Sequence, residues 1–461
     1  MNWMWLNRCT FFCLISITCI LSITGCKKLV HVDEPGDSLT MSTVFSNDSL
    51  AQAAVAGLYV KIMSSPKLFL NGGMSLYPAL SADELQRANL PNFEDQFFNN
   101  SISPTNTLLN TNLWKAAYTY IYQCNICMEG LQKSTGVSAA LKKQLLGEVQ
   151  FVRALCYHYL VNLFGDVPLA LGTNADVNAM LSRAPVDQVY QQIVADLTNA
   201  SEELPDYYNL HTRPTKYAAQ ALLARVYLYT RQWGKAAEIA SIVINSSRFW
   251  LEPELNNVFT AGSNEIIFQW VPVGDRMNSA EGFIFVPVNQ KLNYWLSKDL
   301  LDVFESGDLR RLKWVNPVTI GTTTYYYPYK YKVITSPPPI HEYNVVLRLA
   351  EQYLIRAEAY AQLNRVDSAV NDLNAIRSRA ELPVFSTTIS ADECLVRIEQ
   401  ERRIELFAEW GHRWFDLKRT NRANAVLNSK GSSWSTDDQL YPIPASELLL
   451  APNLGQNPGY E

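Results

Sequence analysis

The residues of this chain best placed to do chemistry are aromatic rings and amides, not nucleophiles. Two stretches concentrate them. Residues 77–112 carry Tyr77, Phe93, Phe97, Phe98 and Asn99, and residues 246–344 carry Trp270, Asn289, Tyr294, Trp295 and Tyr325. Flat rings can cover the apolar face of a pyranose, while amides and carboxylates satisfy its hydroxyls. Such a surface needs neither a metal nor a nucleophile. Each ring could equally pack its own segment onto a core, and residue type alone does not separate the two roles.

Signatures of catalysis are missing. The chain has no Gly-x-Ser-x-Gly, no His-Glu-x-x-His, no phosphate-cradling Gly-x-x-x-x-Gly-Lys and no Gly-x-Gly-x-x-Gly. Its five histidines (His31, His158, His211, His341, His412) are scattered, and His158 sits beside Tyr157 in a helical pattern that suits a structural role. Acidic calcium-loop spacing is absent, so no metal or other cofactor is expected. Residues 397–405 form a dense charged run. At helical spacing Arg397 faces Glu401 and Glu399 faces Arg403, which predicts an ion network, solvated or between helices. A glycosidase would need two carboxyls converging on one bond from separate positions. Asp83-Glu84 and Glu94-Asp95 lie near the aromatic stretch and read as loop or ligand contacts.

Helices must position these groups. Tyr217, Ala221, Ala224 and Leu228 recur at three- and four-residue spacing, as do Leu347, Ala350, Leu354 and Ala357, and Val186, Tyr190, Ile193 and Leu197. Each set predicts one apolar stripe on a helix. An Ala-x-x-Tyr pattern repeats at Ala56/Tyr59, Ala154/Tyr157, Ala224/Tyr227 and Ala357/Tyr360, and the last two copies carry a further Ala twelve residues on, Ala236 and Ala369. Helix, short polar turn, helix with small contact residues resembles the tetratricopeptide repeat. The predicted fold class is therefore mostly α, a helical repeat scaffold with irregular and short β insertions. The insertions are 77–112 and 246–344, with β-prone runs at 265–271, 283–288 and 325–334. Their aromatic content argues against disorder.

The first 25 residues read as a processing segment. Arg8 precedes an apolar run that ends at Ile23-Thr24-Gly25-Cys26. Small residues before Cys26 resemble a bacterial lipobox, in which that Cys is acylated and becomes the new terminus. Residues 26–44 then form a polar tether, and residues 45–461 one domain. Removing 1–25 takes away Arg8 and no acid, so the formal charge moves from −5 to −6. That balance excludes a nucleic-acid partner, which calls for a basic stripe. Four cysteines remain beyond the lipobox, Cys124, Cys127, Cys156 and Cys394. Export would permit pairing, but the Cys124-x-x-Cys127 spacing falls within a helix and has no metal-binding companion, so buried packing is expected.

Five segments carry a more specific resemblance. Residues 148–168 contain Glu-Val-Gln-Phe-Val-Arg-Ala-Leu-Cys-Tyr and end in Phe-Gly-Asp-Val-Pro. Residues 213–227 read Arg-Pro-Thr-Lys-Tyr-Ala-Ala-Gln-Ala-Leu-Leu-Ala-Arg-Val-Tyr. Residues 347–360 contain Arg-Leu-Ala-Glu-Gln-Tyr-Leu. Residues 398–419 contain Glu-Arg-Arg-Ile-Glu-Leu and Gly-His-Arg-Trp-Phe-Asp-Leu-Lys-Arg. Leu-Tyr-Pro-Ile-Pro stands at 440–444, and Asn-Leu-Gly-Gln-Asn-Pro-Gly-Tyr at 453–460. In this order they resemble the SusD/RagB family of Bacteroidetes. The resemblance implies a tetratricopeptide-like helical body and a lipoprotein on the outer leaflet of the outer membrane. It implies a SusC-like TonB-dependent transporter as partner and an oligosaccharide as ligand, or a peptide in the RagB branch. It carries over no contact residue by position. A surface glycoside hydrolase and a repeat scaffold that binds only proteins are the readings from other classes.

Overall fold

The computed structural model describes residues 40–88, 93–274, 277–337, 339–430 and 433–460. Contacts divide the chain at Val44 into two units. In the first, Met41–Val44 form a single helical turn, and the Thr40 hydroxyl accepts from the Thr43 amide at 3.2 Å. Cys26 and most of the expected tether lie outside the described residues.

The second unit is built on helices packed in series. Lys115–Lys133 packs on Ala139–Phe164, which packs on Val186–Glu203, and then follow Lys216–Tyr229 and Trp233–Ile244. Trp233–Ile244 packs directly on Leu349–Gln362, so the helical layer continues as if the intervening insertion were looped out. Leu349–Gln362 packs in turn on Val366–Arg379 and Ala391–Glu405. The repeat residues explain the close approach: Ala154, Ala224, Ala236, Ala357 and Ala369 have no exposed surface, and a methyl side chain lets helix axes come near. Tyr157 fills the space beside Ala154 and donates to the Ala170 carbonyl at 2.9 Å. Ala56 departs from the pattern, because it faces solvent on the Asp48–Ile62 helix and makes no such seam. Helix starts are capped as the sequence invites: Thr215 accepts from the Ala218 amide, and Ser390 from the Glu393 amide.

Among the described residues, four antiparallel strand pairs complete the unit. They are β1 (Leu85–Arg87) with β5 (Tyr294–Leu296), β2 (Val167–Pro168) with β3 (Arg183–Ala184), β4 (Ile266–Trp270) with β8 (Asn344–Arg348), and β6 (Val315–Ile320) with β7 (Thr323–Pro328). The first pair joins the two stretches singled out above, in the register Leu85–Leu296, Gln86–Trp295 and Arg87–Tyr294.

Local expectations needed correction in three places. Leu347 lies in β8, and its helix begins only at Leu349, because pairing with β4 claims the backbone first. The run 283–288 is not a strand: Ala280–Phe285 is a short helix, started by the Ser279 hydroxyl accepting from the Gly282 amide at 3.0 Å. Residues 77–112 also contain helix, at Gly73–Ser81, Glu94–Phe98 and the π-helical Leu109–Trp114.

The charged run of 397–405 is an inter-helix network, but with other partners than spacing suggested. Arg397 meets Glu393 at 3.4 Å, while Glu401 binds Arg310 and Arg377, Glu399 binds Arg413 and Arg422, and Arg403 binds Asp83. Glu401 and Arg402 are buried, so they answer to neighbouring elements and not to their own helix surface. Cys124, Cys127, Cys156 and Cys394 are buried free thiols. Burial pushes the Cys127 and Cys394 thiols up to about 11. Among the described residues no helix is long and apolar enough to cross a membrane.

Candidate functional site

The β1–β5 pair is the centre of the site. Trp295 and Gln86 stand directly opposite each other and therefore share one face. The Trp295 ring is half-buried and meets Tyr325 of β7 edge to face, with centroids 4.8 Å apart and planes at 63°. Tyr325 pairs with Val318 across the β6–β7 hairpin. That hairpin turns on two residues, with Gly321 at φ +63° in the position that favours glycine. The approach to β5 is a second tight turn. Val288 bridges Lys291, and both central residues, Asn289 and Gln290, hold positive φ, at +51° and +61°. Asn289 is exposed on this turn.

What lies beneath fixes the platform. Tyr294 points inward and donates to Glu94 at 2.6 Å, and the Lys67 ammonium reaches Glu94 and the Tyr294 hydroxyl, each at 2.8 Å. Burial, reinforced by the Glu94 carboxylate, pushes the Tyr294 phenol well above its ordinary range. Arg87, opposite Tyr294, is ion-paired with Asp95. The Glu94–Phe98 helix is thus bonded to the strand pair. Asn106 pins its other side, donating to the Phe93 carbonyl at 2.9 Å and to Gln96 at 2.8 Å. Phe93 enters this helix with 45 % of its surface exposed.

The expected contact residues therefore separate into groups. Trp295, Tyr325, Phe93 and Asn289 offer accessible surface on elements tied to the platform. Phe98 and Asn99 close the far end of the short helix: Lys430 sits over the Phe98 ring at 4.7 Å, and the Asn99 carbonyl accepts from Ser433. Tyr77, Phe97, Trp270 and Tyr294 are core residues with 0 to 2 % of their surface exposed, so none offers a ring face to a ligand. Tyr77 packs tilted against Phe97 at 4.7 Å and accepts from Asn112 at 2.7 Å, and Trp270 is wedged between Phe268 and Tyr59.

Two partners escaped sequence reasoning. Gln86 supplies an amide opposite Trp295, and nothing in the sequence joins residues so far apart. Tyr326, on the other face of β7, lies under the Arg311 guanidinium at 4.4 Å. The run Tyr325-Tyr326-Tyr327 was its one available signal. Glu94 and Asp95, on the short helix bonded to the platform, are held by Lys67, Tyr294 and Arg87.

Comparison with known proteins agrees with this architecture. A family model described as starch-binding and associating with the outer membrane matches residues 40–228, and the model of the SusD family matches residues 309–460. The chain is 29 % identical to SusD-like protein P2 of Formosa agariphila, over 96 % of its own length and 98 % of that protein. A SusD-like protein of Bacteroides ovatus is 25 % identical, over 91 % of this chain and 85 % of the other. Among solved structures, a SusD superfamily protein from Bacteroides vulgatus superposes with a TM-score of 0.78 at 25 % identity, covering 90 % of this chain and 100 % of that one. A laminarin-binding SusD-like protein superposes with a TM-score of 0.75 at 24 % identity, with the same coverage, and shares the fold.

Proposed function

The chain belongs to the SusD/RagB family, and on that premise we propose that it is a non-catalytic, cell-surface lipoprotein that captures oligosaccharides and passes them to a SusC-like TonB-dependent transporter. One observation carries the ligand class. Trp295 and Tyr325 form a half-exposed aromatic corner on a rigid strand platform, with the Gln86 amide opposite the indole. A sugar ring needs an apolar platform and planar hydrogen-bonding groups at its edge, and this corner supplies both. Preorganisation by the Lys67–Glu94–Tyr294 network keeps the ordering cost of binding low. The non-catalytic reading is supported by the Glu94 and Asp95 carboxylates beside the platform, which are engaged in ion pairs and not free to converge on a glycosidic bond.

Attachment is proposed through acylated Cys26, with more than one acyl chain giving lasting anchorage. Cys26→Ser should move the protein from the membrane fraction to the soluble one; unchanged partitioning would remove the anchor from the account. Isothermal titration against laminari-, malto- and xylo-oligosaccharides tests the ligand class. Binding to one series, weakened on the order of tenfold or more by Trp295→Ala, is expected. Binding to peptides alone would transfer the protein to the peptide-binding branch, and reducing ends released from polysaccharide would make it an enzyme. Delivery is tested by co-purification with the transporter from detergent-solubilised outer membranes.

A further inference from the structure

A second concave feature lies at the end of the same strand pair. The cleft has a volume of about 750 Å³ and opens between residues 299–305 and the Ala391–Glu405 helix. Its floor is Asp83, which accepts from Arg403 at 2.6 Å and from Arg413 at 2.7 and 2.9 Å. Glu399 accepts from Arg413 at 3.3 Å and from Arg422 at 2.7 Å. Burial alone would raise the Asp83 carboxyl, but the hydrogen bonds and charges of Arg413 and Arg403 outweigh it and hold the group below its ordinary value. These bonds fix the guanidinium planes while leaving donors over, since each guanidinium has five N–H groups. The Arg403 Nε is buried without a partner among the described residues, and the accessible donors are those of Arg422, whose side chain is 47 % exposed. The opposite wall offers the Asp299 and Asp302 carboxylates and the half-buried Phe304 ring, which is steadied edge to face against Phe407.

We propose that this cleft is a second saccharide-binding site, taking a neutral, hydroxyl-rich segment of a longer glycan whose other part lies on the Trp295–Tyr325 corner. The proposal rests on the oligosaccharide reading above. Donors on one wall and acceptors on the other match hydroxyl groups, which do both. The lining holds five carboxylates against three guanidiniums, a balance that disfavours uronates, sulfated sugars and phosphates. Among the described residues no three acidic, His or Cys side chains converge to hold a metal ion, so a bare cation is not the occupant. Nearness to the corner follows from chain connectivity. Asp83 and Glu84 form the turn that leads into β1, tied to β5 by the Ser297 amide, which donates to the Glu84 carbonyl at 2.8 Å, and the Ser297 hydroxyl, which donates to the Asp83 carbonyl at 2.5 Å. Three residues of chain put Asp83 at most about 10 Å from Gln86. Two sites at that separation, engaged by one chain, raise each other's effective concentration.

Titration of neutral oligosaccharides from disaccharide to octasaccharide into the whole protein tests this. Val396→Trp fills the cleft from an exposed helix position, and Arg422→Ala removes a wall donor that is half in solvent. Both should retain the wild-type melting temperature. In both, affinity for the longest oligomers should fall on the order of tenfold or more, with the shortest binding as before. If Trp295→Ala weakens binding but both cleft variants match wild type at every length, the cleft proposal is overturned and the corner stands. If the cleft variants abolish binding and Trp295→Ala does not, the corner reading falls and the cleft is the site. Tighter binding of an oligogalacturonate than of any neutral series, lost in Arg422→Ala, would overturn the neutral assignment. No binding of any saccharide by wild type overturns both.

Discussion

Arg348 donates to the Glu405 carboxylate at 2.6 Å, and the two side chains keep 2 % and 0 % of their surface in contact with water. Arg348 ends β8 and Glu405 ends the Ala391–Glu405 helix, so the contact joins the strand pair to the helical layer. Arg310 reaches the same carboxylate at 3.0 Å and Arg379 also donates to it, while Glu265 binds Arg348 and Arg379 from the far side. The backbone carbonyl of Glu405 takes the Lys330 ammonium at 2.8 Å. Six segments of chain thus meet at one ionic centre.

Glu405→Gln leaves that centre with an excess of buried positive charge. Breaking a buried pair from one side costs about 3–5 kcal/mol. Urea unfolding should show a lower midpoint with an unchanged slope. The carboxyl also predicts acid sensitivity. Burial raises its pKa, but the charges of Arg379, Arg348 and Arg310 outweigh burial and hold it well below the ordinary carboxylate range. Its stabilisation is therefore present above the unfolded-state value and lost as pH falls toward the folded one. Wild type should lose melting temperature on acidification more steeply than Glu405→Gln, and parallel curves would refute the assignment.

Glu84 predicts the opposite slope. Its side chain is buried, one oxygen has no partner among the described residues, and burial together with the charge of Asp83 raises its carboxyl from 4.5 to about 8. The folded protein keeps a proton that the unfolded chain releases. Stability from this group is complete below pH 4.5 and drains away as pH rises through about 8. Glu84→Gln should remove that decline, worth on the order of a few kcal/mol. The pH profiles of melting temperature for the two proteins would run parallel across this window if Glu84 were ionised in the fold.

The helical body was legible because apolar spacing is a local property that survives packing. Tyr217, Ala221, Ala224 and Leu228 are all buried as their stripe required. Relations between distant segments were not legible. Arg397 and Glu401 are one turn apart, yet Glu401 turns inward to Arg310 and Arg377, which its own helix could not announce. Leu347 fits a helical stripe and still belongs to β8, because β4 offers it Phe268 as a strand partner, 79 positions away in the chain. The site shows the same limit. Composition located the aromatic stretches, but a strand alternates its faces, so neighbouring Tyr294 and Trp295 have opposite fates.

Trp270 and Trp295 separate those fates experimentally. Trp270 is 1 % exposed and sits between Phe268 at 4.6 Å and Tyr59 at 5.2 Å. Its removal opens a cavity between β4 and the Asp48–Ile62 helix, so Trp270→Ala should cost about 3–5 kcal/mol. Oligosaccharide affinity of the fraction that stays folded should be unchanged, because no ligand can reach that ring. Trp295 is half-exposed and bears mainly on Tyr325. Trp295→Ala should cost about 1–2 kcal/mol of stability, as a partly buried aromatic pair, while lowering affinity on the order of tenfold or more. Paired melting and titration of the two variants thus give a crossed pattern. If Trp270→Ala lost affinity at full folding, the ligand would have to enter beneath β4, and the exposed corner would no longer be the binding face.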